Sequence, residues 1–229
     1  MLIIGGLQKS SLIDFPQHIC AVIFTQGCNF KCPYCHNPEL IKEKADSNIS
    51  ESALFKFLNS RKNKLDGVVI TGGEPTLQKD LPEFIKKIKA MGFLVKLDTN
   101  GSNPYMLKKL IDEKLIDYVA MDMKAPIEKY SNIICTKTNT DNILKSIDIL
   151  KASDIDFEFR TTVVKSQLEV TDFKKIGEML TGAKKYYLQK FVPTKTLDKS
   201  FMSQTTYSEE EFSSIIKLLK CNIKQVELR

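Results

Sequence analysis

Residues 19–38 read ICAVIFTQGCNFKCPYCHNP, and how this stretch is read decides what the rest of the chain can be. Ile19–Thr25 is a short apolar, β-branched run of the kind that fills a buried strand. The run breaks at Gln26-Gly27, and Cys28, Cys32 and Cys35 follow at CxxxCxxC spacing. Thiolates are soft ligands that select iron–sulfur clusters, zinc or Cu(I) over hard cations. Closed structural sites mostly use four protein ligands at paired spacings, so three leave a metal position open, as a catalytic metal requires. A zinc knob completed by His36, or three core cysteines, is the alternative that the stretch alone leaves open.

Outward from this strand, apolar runs alternate with amphipathic segments. Ser50 is placed as an N-cap for a helix over 51–61, and Val68–Thr71 is a β-branched strand ending at Gly72-Gly73-Glu74. The pattern then predicts a helix over 82–91 stopped by Gly92, a strand over 93–98 and a helix over 104–113. Strands at 117–122, 155–164 and 185–191 alternate with helices at 140–153 and 172–180. The acidic run after Ser208 begins a last helix, and 223–228 is a short terminal strand. Six strand–helix repeats predict a parallel sheet with right-handed crossovers, closed as a partial barrel or open and doubly wound. The polar motifs favour the barrel. The cysteine loop, Gly72-Gly73-Glu74, Asp98-Thr99-Asn100, Asp122-Met123-Lys124 and Gln189 all fall at or near C-terminal strand ends, which converge at a barrel mouth. With no linker or repeat, one domain over 1–229 is expected, residues 1–18 forming an extension before the barrel.

Composition narrows the functional classes. The 229 residues are 42% hydrophobic and carry 34 basic against 28 acidic residues, a net charge of +6. The lysines are scattered over helix faces without interleaved aromatics, so no nucleic-acid module is indicated. No apolar run reaches the roughly 18 residues that span a bilayer, and no secretory signal is evident, which predicts a cytoplasmic protein without membrane partners. Cys20, Cys135 and Cys221 lack the spacing for a second cluster and read as fillers.

The two strand-end motifs together resemble those of radical S-adenosylmethionine (SAM) enzymes: Cys28-x3-Cys32-x2-Cys35, with Tyr34 before the third cysteine, and Thr71-Gly72-Gly73-Glu74-Pro75 on the next strand. The resemblance implies a partial (β/α)6 TIM-like barrel. It implies a [4Fe–4S] cluster on Cys28, Cys32 and Cys35 whose open iron is chelated by SAM, with reduction cleaving the sulfonium to a 5′-deoxyadenosyl radical. It places Gly72, Gly73 and Glu74 at the methionine amino group, with Glu74 a further ligand or a local orienter. Asp98, Thr99 and Asn100 suit the ribose, although the same residues are ordinary turn chemistry. Tyr34 neighbours the adenine through its backbone. Lys124 neutralises the SAM carboxylate or pairs with Asp122, Arg160 faces SAM or forms a structural ion pair, and Gln189 stands at the last site strand with its role open.

Within that superfamily, Gly5–Pro16 (GGLQKSSLIDFP) and Cys35–Leu40 (CHNPEL) are similar to the activating proteins of anaerobic ribonucleoside-triphosphate reductase, which install a glycyl radical on a partner. That implies a glycyl-radical protein and a reductant such as flavodoxin or ferredoxin as partners. Leu188-Gln189-Lys190-Phe191 stands where pyruvate formate-lyase activases carry a Pro-Phe-His-like segment, and residues 36–66 hold no cysteine for a second cluster. Activation of another glycyl-radical enzyme, a small-molecule radical SAM reaction and a metal-stabilised binding module are the competing readings.

Overall fold

A computed structural model describes residues 2–42 and 49–229 of the chain. The strands are β1 (Ile4–Ser11), β2 (Cys20–Thr25), β3 (Gly67–Gly72), β4 (Leu94–Thr99), β5 (Tyr118–Asp122), β6 (Asp156–Val163), β7 (Lys185–Lys190) and β8 (Gln225–Leu228), and in sheet order they follow their chain order. The α-helices are α1 (Glu51–Ser60), α2 (Leu81–Ala90), α3 (Pro104–Asp112), the short α4 (Tyr130–Ile133), α5 (Thr140–Ala152), α6 (Val170–Met179) and α7 (Glu209–Leu219). The expected alternation of strand and helix is present, with boundaries mostly within two residues of those read from the pattern.

Local chemistry sets those boundaries. The Ser50 hydroxyl accepts from the Ala53 amide at the start of α1, and Ser208 with Glu211 forms a reciprocal capping box at the start of α7. Gly92, at φ +90°, follows α2 and donates its amide to the Lys89 carbonyl, as a left-handed C′ residue does.

The chain divides into two compact units. The first comprises Met1–Asn29, Glu39–Thr99 and Asn103–Val119; the second comprises Phe30–Pro38, Asn100–Ser102 and Ala120–Arg229. In the first unit β2, β3 and β4 pair in parallel. Val22, Val69 and Lys96 stand level in one row, and Thr25 stands level with Gly72. Level pairing brings the C-terminal strand ends, with the motifs they carry, to one height. In the second unit β6, β7 and β8 are also parallel, with Arg160 level with Tyr187 and Tyr187 level with Glu227.

β1 is the element that sequence reasoning did not place. Its residues, rich in glycine and polar side chains, lack the alternation that marks a strand, yet they pair antiparallel to β2 from Ile4 opposite Thr25 to Ser11 opposite Cys20. After β1 the chain turns on the Ser11 hydroxyl, which donates to Asp14 at 2.5 Å and accepts from the Ile13 amide at 3.2 Å. This turn delivers Phe15, 3% exposed, into a cluster with Cys20, Val22, Val69 and Tyr118, against which Phe24 and Leu94 also pack. Phe15 thus caps one end of the face shared by β2, β3 and β4. Its ring lies against Gly67, where a Cβ would come within 2.9 Å of it. Truncating the ring leaves a gap that this glycine has no side chain to fill. Phe15→Ala is expected to cost about 3–5 kcal/mol, measured as a shift in the urea unfolding curve with unchanged slope.

Candidate active site

In the first unit the strand ends are welded backbone to backbone. The Gly73 amide donates to the Thr25 carbonyl at 2.9 Å and the Glu74 amide to the Gly27 carbonyl at 2.8 Å. Gly72 sits at φ +118°, and a Cβ there would lie 2.3 Å from the Thr25 nitrogen. A Cβ on Gly73 would lie 2.0 Å from the Gly27 oxygen. Both positions therefore require glycine because the chain itself occupies the space, and the contact fixes the end of β3 on the residues leading into Cys28. On the other side of the loop, the Gly27 amide donates to Leu40 and the Cys28 amide to Ile41.

Glu74 is 1% exposed, and its carboxylate is engaged by groups of its own chain. Its Oε1 accepts from the Thr76 amide at 3.0 Å, the Thr76 hydroxyl at 2.5 Å and the Thr99 hydroxyl at 2.7 Å. Asp98, on the face opposite to Thr99, is held by the Lys96 ammonium at 2.5 Å.

The second unit assembles the remaining residues. The Cys35 amide donates to the Cys32 carbonyl at 3.0 Å, closing a turn that carries both thiols, and the Lys31 amide donates to Ile134 at 2.9 Å. Around that turn, Phe30 meets the Tyr130 ring edge to face, Tyr34 packs on Phe201, and His36 stacks on Phe191 while its Nε2 lies 3.0 Å from the Val192 carbonyl oxygen. Asp122, Lys124 and Arg160 form one cluster: the Lys124 ammonium lies 2.9 Å from Asp122 Oδ2, and the Arg160 guanidinium lies 3.0 Å from Oδ1. Two hydrogen bonds to the main chain aim it, from the Met123 amide to the Arg160 carbonyl and from the Thr161 hydroxyl to the Met123 carbonyl. Asn100 accepts from the Ser102 amide at 2.9 Å in an Asx turn. Gly101 beside it, at φ +75°, would put a Cβ 2.1 Å from Met121 Cε. Gln189 lies on the same face of β7 as Tyr187, two residues on.

The electrostatics follow from burial and pairing. Burial pushes the Cys32 thiol up, while the Lys124 ammonium and a hydrogen bond with Tyr34 pull it back toward the thiolate. Burial opposes ionisation of Asp122, but Lys124 and then Arg160 outweigh it and hold the carboxyl down at about 2. Burial works against the Lys124 charge as well, and Asp122, Tyr34 and Cys32 more than offset it, leaving the ammonium well above its usual range. One cation thus serves both Asp122 and the cysteine turn.

Sequence reasoning missed Lys96, Tyr130 and the pair Glu158–Arg229. Tyr130 is fully buried and its hydroxyl accepts from the Lys124 amide at 3.4 Å, with nothing in its own segment to mark it. Glu158, on the same face of β6 as Arg160, is bound by the Arg229 guanidinium at 2.9 and 3.2 Å, and that guanidinium lies 3.4 Å over the Tyr187 ring. Among the described residues, no set of three or more His, Cys, Asp or Glu is gathered at metal-holding distances. The loop offers three sulfurs in its sequence, and the Lys124 cation acts on that of Cys32. That chemistry fits a thiolate-held iron–sulfur group better than a hard cation.

The folded pKa of Asp122 lies below its ordinary 3.8, so the native state binds fewer protons than the unfolded one across this interval and stability rises with pH. The contribution is complete above about pH 4 and is lost as pH falls through about 2. Comparing wild type with Asp122→Asn in urea titrations from pH 5 downward, the gap in stability is expected to narrow by ~2 kcal/mol in total.

Comparison with known proteins places this arrangement. The profile described as the Radical SAM superfamily matches residues 22–174. A candidate glycyl-radical enzyme activating enzyme of Methanocaldococcus jannaschii is 36% identical over 99% of this chain and 95% of its own length. A second from the same organism is 33% identical over 79% of this chain and 69% of its own. The crystal structure of a domain of pyruvate-formate lyase-activating enzyme from Bacteroides vulgatus superposes with a TM-score of 0.56 at 18% identity, covering 71% of this chain and 98% of that one, which shows a shared TIM-like α/β fold. No helix among the described residues is long and apolar enough to cross a membrane. The chain is an enzyme of the Radical SAM superfamily, whose members use a [4Fe–4S] cluster and SAM, and within it belongs to the glycyl-radical enzyme activating enzymes, which act on a glycyl-radical protein.

Proposed function

We propose that this protein, working as a single domain over 1–229 in the cytoplasm, activates anaerobic ribonucleoside-triphosphate reductase by installing its glycyl radical, with flavodoxin or ferredoxin as the electron source. The observation that carries the reductase assignment is the opening motif Gly5–Pro16 together with Cys35–Leu40, which resembles the activating proteins of that enzyme. In the fold this opening is β1 and its Phe15 cap, so the motif has a structural office whatever the partner.

In this reading Cys28, Cys32 and Cys35 hold the cluster. When bound, the cluster and SAM supply one-electron cleavage of the sulfonium and a carbon-centred hydrogen acceptor. The residues of the chain do the rest. Lys124 opposes the SAM carboxylate while Asp122 keeps that ammonium charged and Arg160 holds Asp122 in place. The Gly72-Gly73-Glu74 segment meets the methionine amino group, with Glu74 orienting Thr99. Asp98, Thr99 and Asn100 take the ribose hydroxyls, and the Tyr34 backbone takes the adenine. Gln189 borders the site from β7. What supports the reading is that Lys124, 2.9 Å from Asp122, stands in the same unit as Cys32 and Tyr34 and opposes their charge, where a carboxylate chelating the cluster would need a cation.

After anaerobic reconstitution and reduction, SAM is expected to be cleaved to 5′-deoxyadenosine and methionine. A glycyl-radical signal is expected by electron paramagnetic resonance on the reductase when the two proteins are mixed. Alanine at Cys28, Cys32 or Cys35 is expected to abolish both, together with bound iron. Cleavage with no signal on the reductase, but with one on a pyruvate formate-lyase-type protein, would move the target while keeping the chemistry.

A further inference from the structure

Residues 192–202, which follow β7, carry three large apolar side chains that face water: Val192 is 54% exposed, Leu197 40% and Met202 45%. The same segment is pinned to the cysteine turn at three points. The Val192 carbonyl oxygen lies 3.0 Å from His36 Nε2, the Asp198 amide donates to the Pro33 carbonyl at 2.9 Å, and the Phe201 ring packs on Tyr34. Each pin has an exposed apolar side chain at it or next to it in the chain. The patch therefore borders the turn that carries Cys32 and Cys35. None of the three pins is made to Asp122, Lys124 or Arg160, so the patch is tied to the sulfur ligands rather than to the cluster of charges read above as facing SAM.

Lysines rim this patch. Lys31 precedes Cys32 and Lys199 follows Asp198, so the two flank the Pro33–Asp198 hydrogen bond. Both are exposed, and among the described residues neither is in an ion pair. The three lysines of α2, by contrast, are all paired with acids. Residues 30–38 and 191–206 together hold three lysines and one acid, Asp198, whose carboxylate accepts from the Ser200 amide.

A segment that only sheltered the cysteine turn would bury its apolar side chains, as Phe191 does at 3% exposed. Val192, Leu197 and Met202 stay in water instead, and clustered exposed apolar groups with a polar rim mark a surface that another protein covers. The chemistry says which protein. One electron must reach the cluster for each SAM cleaved, and electron transfer falls off steeply with distance, so the donor has to seat beside the turn that holds the thiols. Electron-carrier encounters use small interfaces, and opposite charge sets their on-rate. Unpaired lysines around an apolar patch select an acidic carrier.

We propose that residues 192–202, with Lys31, form the docking surface for the electron carrier, a protein with acidic side chains around an exposed one-electron group. The docked carrier loses one electron and the cluster gains it. The proposal rests on the reading above that a flavodoxin or ferredoxin is the reductant.

The test is SAM cleavage by the reconstituted protein, with 5′-deoxyadenosine measured against the concentration of reduced flavodoxin, of reduced ferredoxin, or of dithionite, a small reductant that needs no docking surface. Lys31→Glu/Lys199→Glu is expected to raise KM for the preferred carrier about tenfold, the combined effect of two reversed rim charges, and to flatten its dependence on salt. Leu197→Ser/Met202→Ser is expected to raise that KM about tenfold with the salt dependence kept. In both variants bound iron, kcat at saturating carrier and the dithionite-driven rate are expected to stay within about twofold of wild type. Lys174→Glu, at an exposed lysine on α6, is the charge control and is expected to change none of them. An unchanged carrier KM in both double variants, or an equal fall in the dithionite-driven rate, would overturn the docking role and leave the reductant reading intact. So would a normal carrier-driven rate joined to a lower yield of glycyl radical on the reductase under dithionite, which would give the surface to that partner. Wild-type cleavage with dithionite but with neither flavodoxin nor ferredoxin would overturn the reductant reading and the docking proposal with it.

Discussion

The close approach of Gly72-Gly73 to Thr25–Gly27 is the constraint on which the site depends. Two main-chain hydrogen bonds and the absence of two Cβ atoms lock the end of β3 onto the end of β2. From that weld the chain runs in one direction into Cys28 and in the other into Glu74, whose carboxylate reaches Thr99 at the end of β4. Three successive strand ends are thereby tied by contacts that involve no ligand.

A second pattern is the handling of charge. Each of three acidic groups on the strands has been given a cation of its own chain: Asp98 has Lys96, Asp122 has Lys124 and Arg160, and Glu158 has Arg229. Leaving a buried carboxylate without a partner is costly. Paired, their side chains are held in one setting.

Most of this fold was legible in the chain because its signals are local. β2 and β3 are continuous apolar runs, Ser50 and Ser208 cap their helices through side chains two or three residues away, and Gly92 marks a stop by its own backbone. The cysteine spacing and Gly-Gly-Glu were legible for the same reason. What stayed hidden was non-local. β1 is a strand only because β2 offers its edge, and its own glycines and polar residues argue against it. Glu158 meets Arg229 across 71 residues of sequence, a pairing no window could register. Lys96 sits in a strand as one polar letter among apolar ones, which reads as a surface position until the row it shares with Val22 and Val69 is seen. The role of Gly72 and Gly73 was legible as a need for close approach, but the partner in that approach was the chain's own backbone.

The six thiols of this protein differ sharply in chemical temperament. Burial, and then the Asp14 charge, push Cys20 up to about 11, so at neutral pH it stays a thiol and a poor nucleophile. Cys135 and Cys221 are exposed on the second unit, away from the CxxxCxxC loop in sequence. Air therefore attacks this molecule along two separate routes: bleaching of whatever the loop cysteines hold, and cross-linking of copies through the two outer sulfurs. Replacing Cys135 and Cys221 by serine would silence the second route without touching the first, so that bleaching and cross-linking can be followed as independent clocks of oxidative damage.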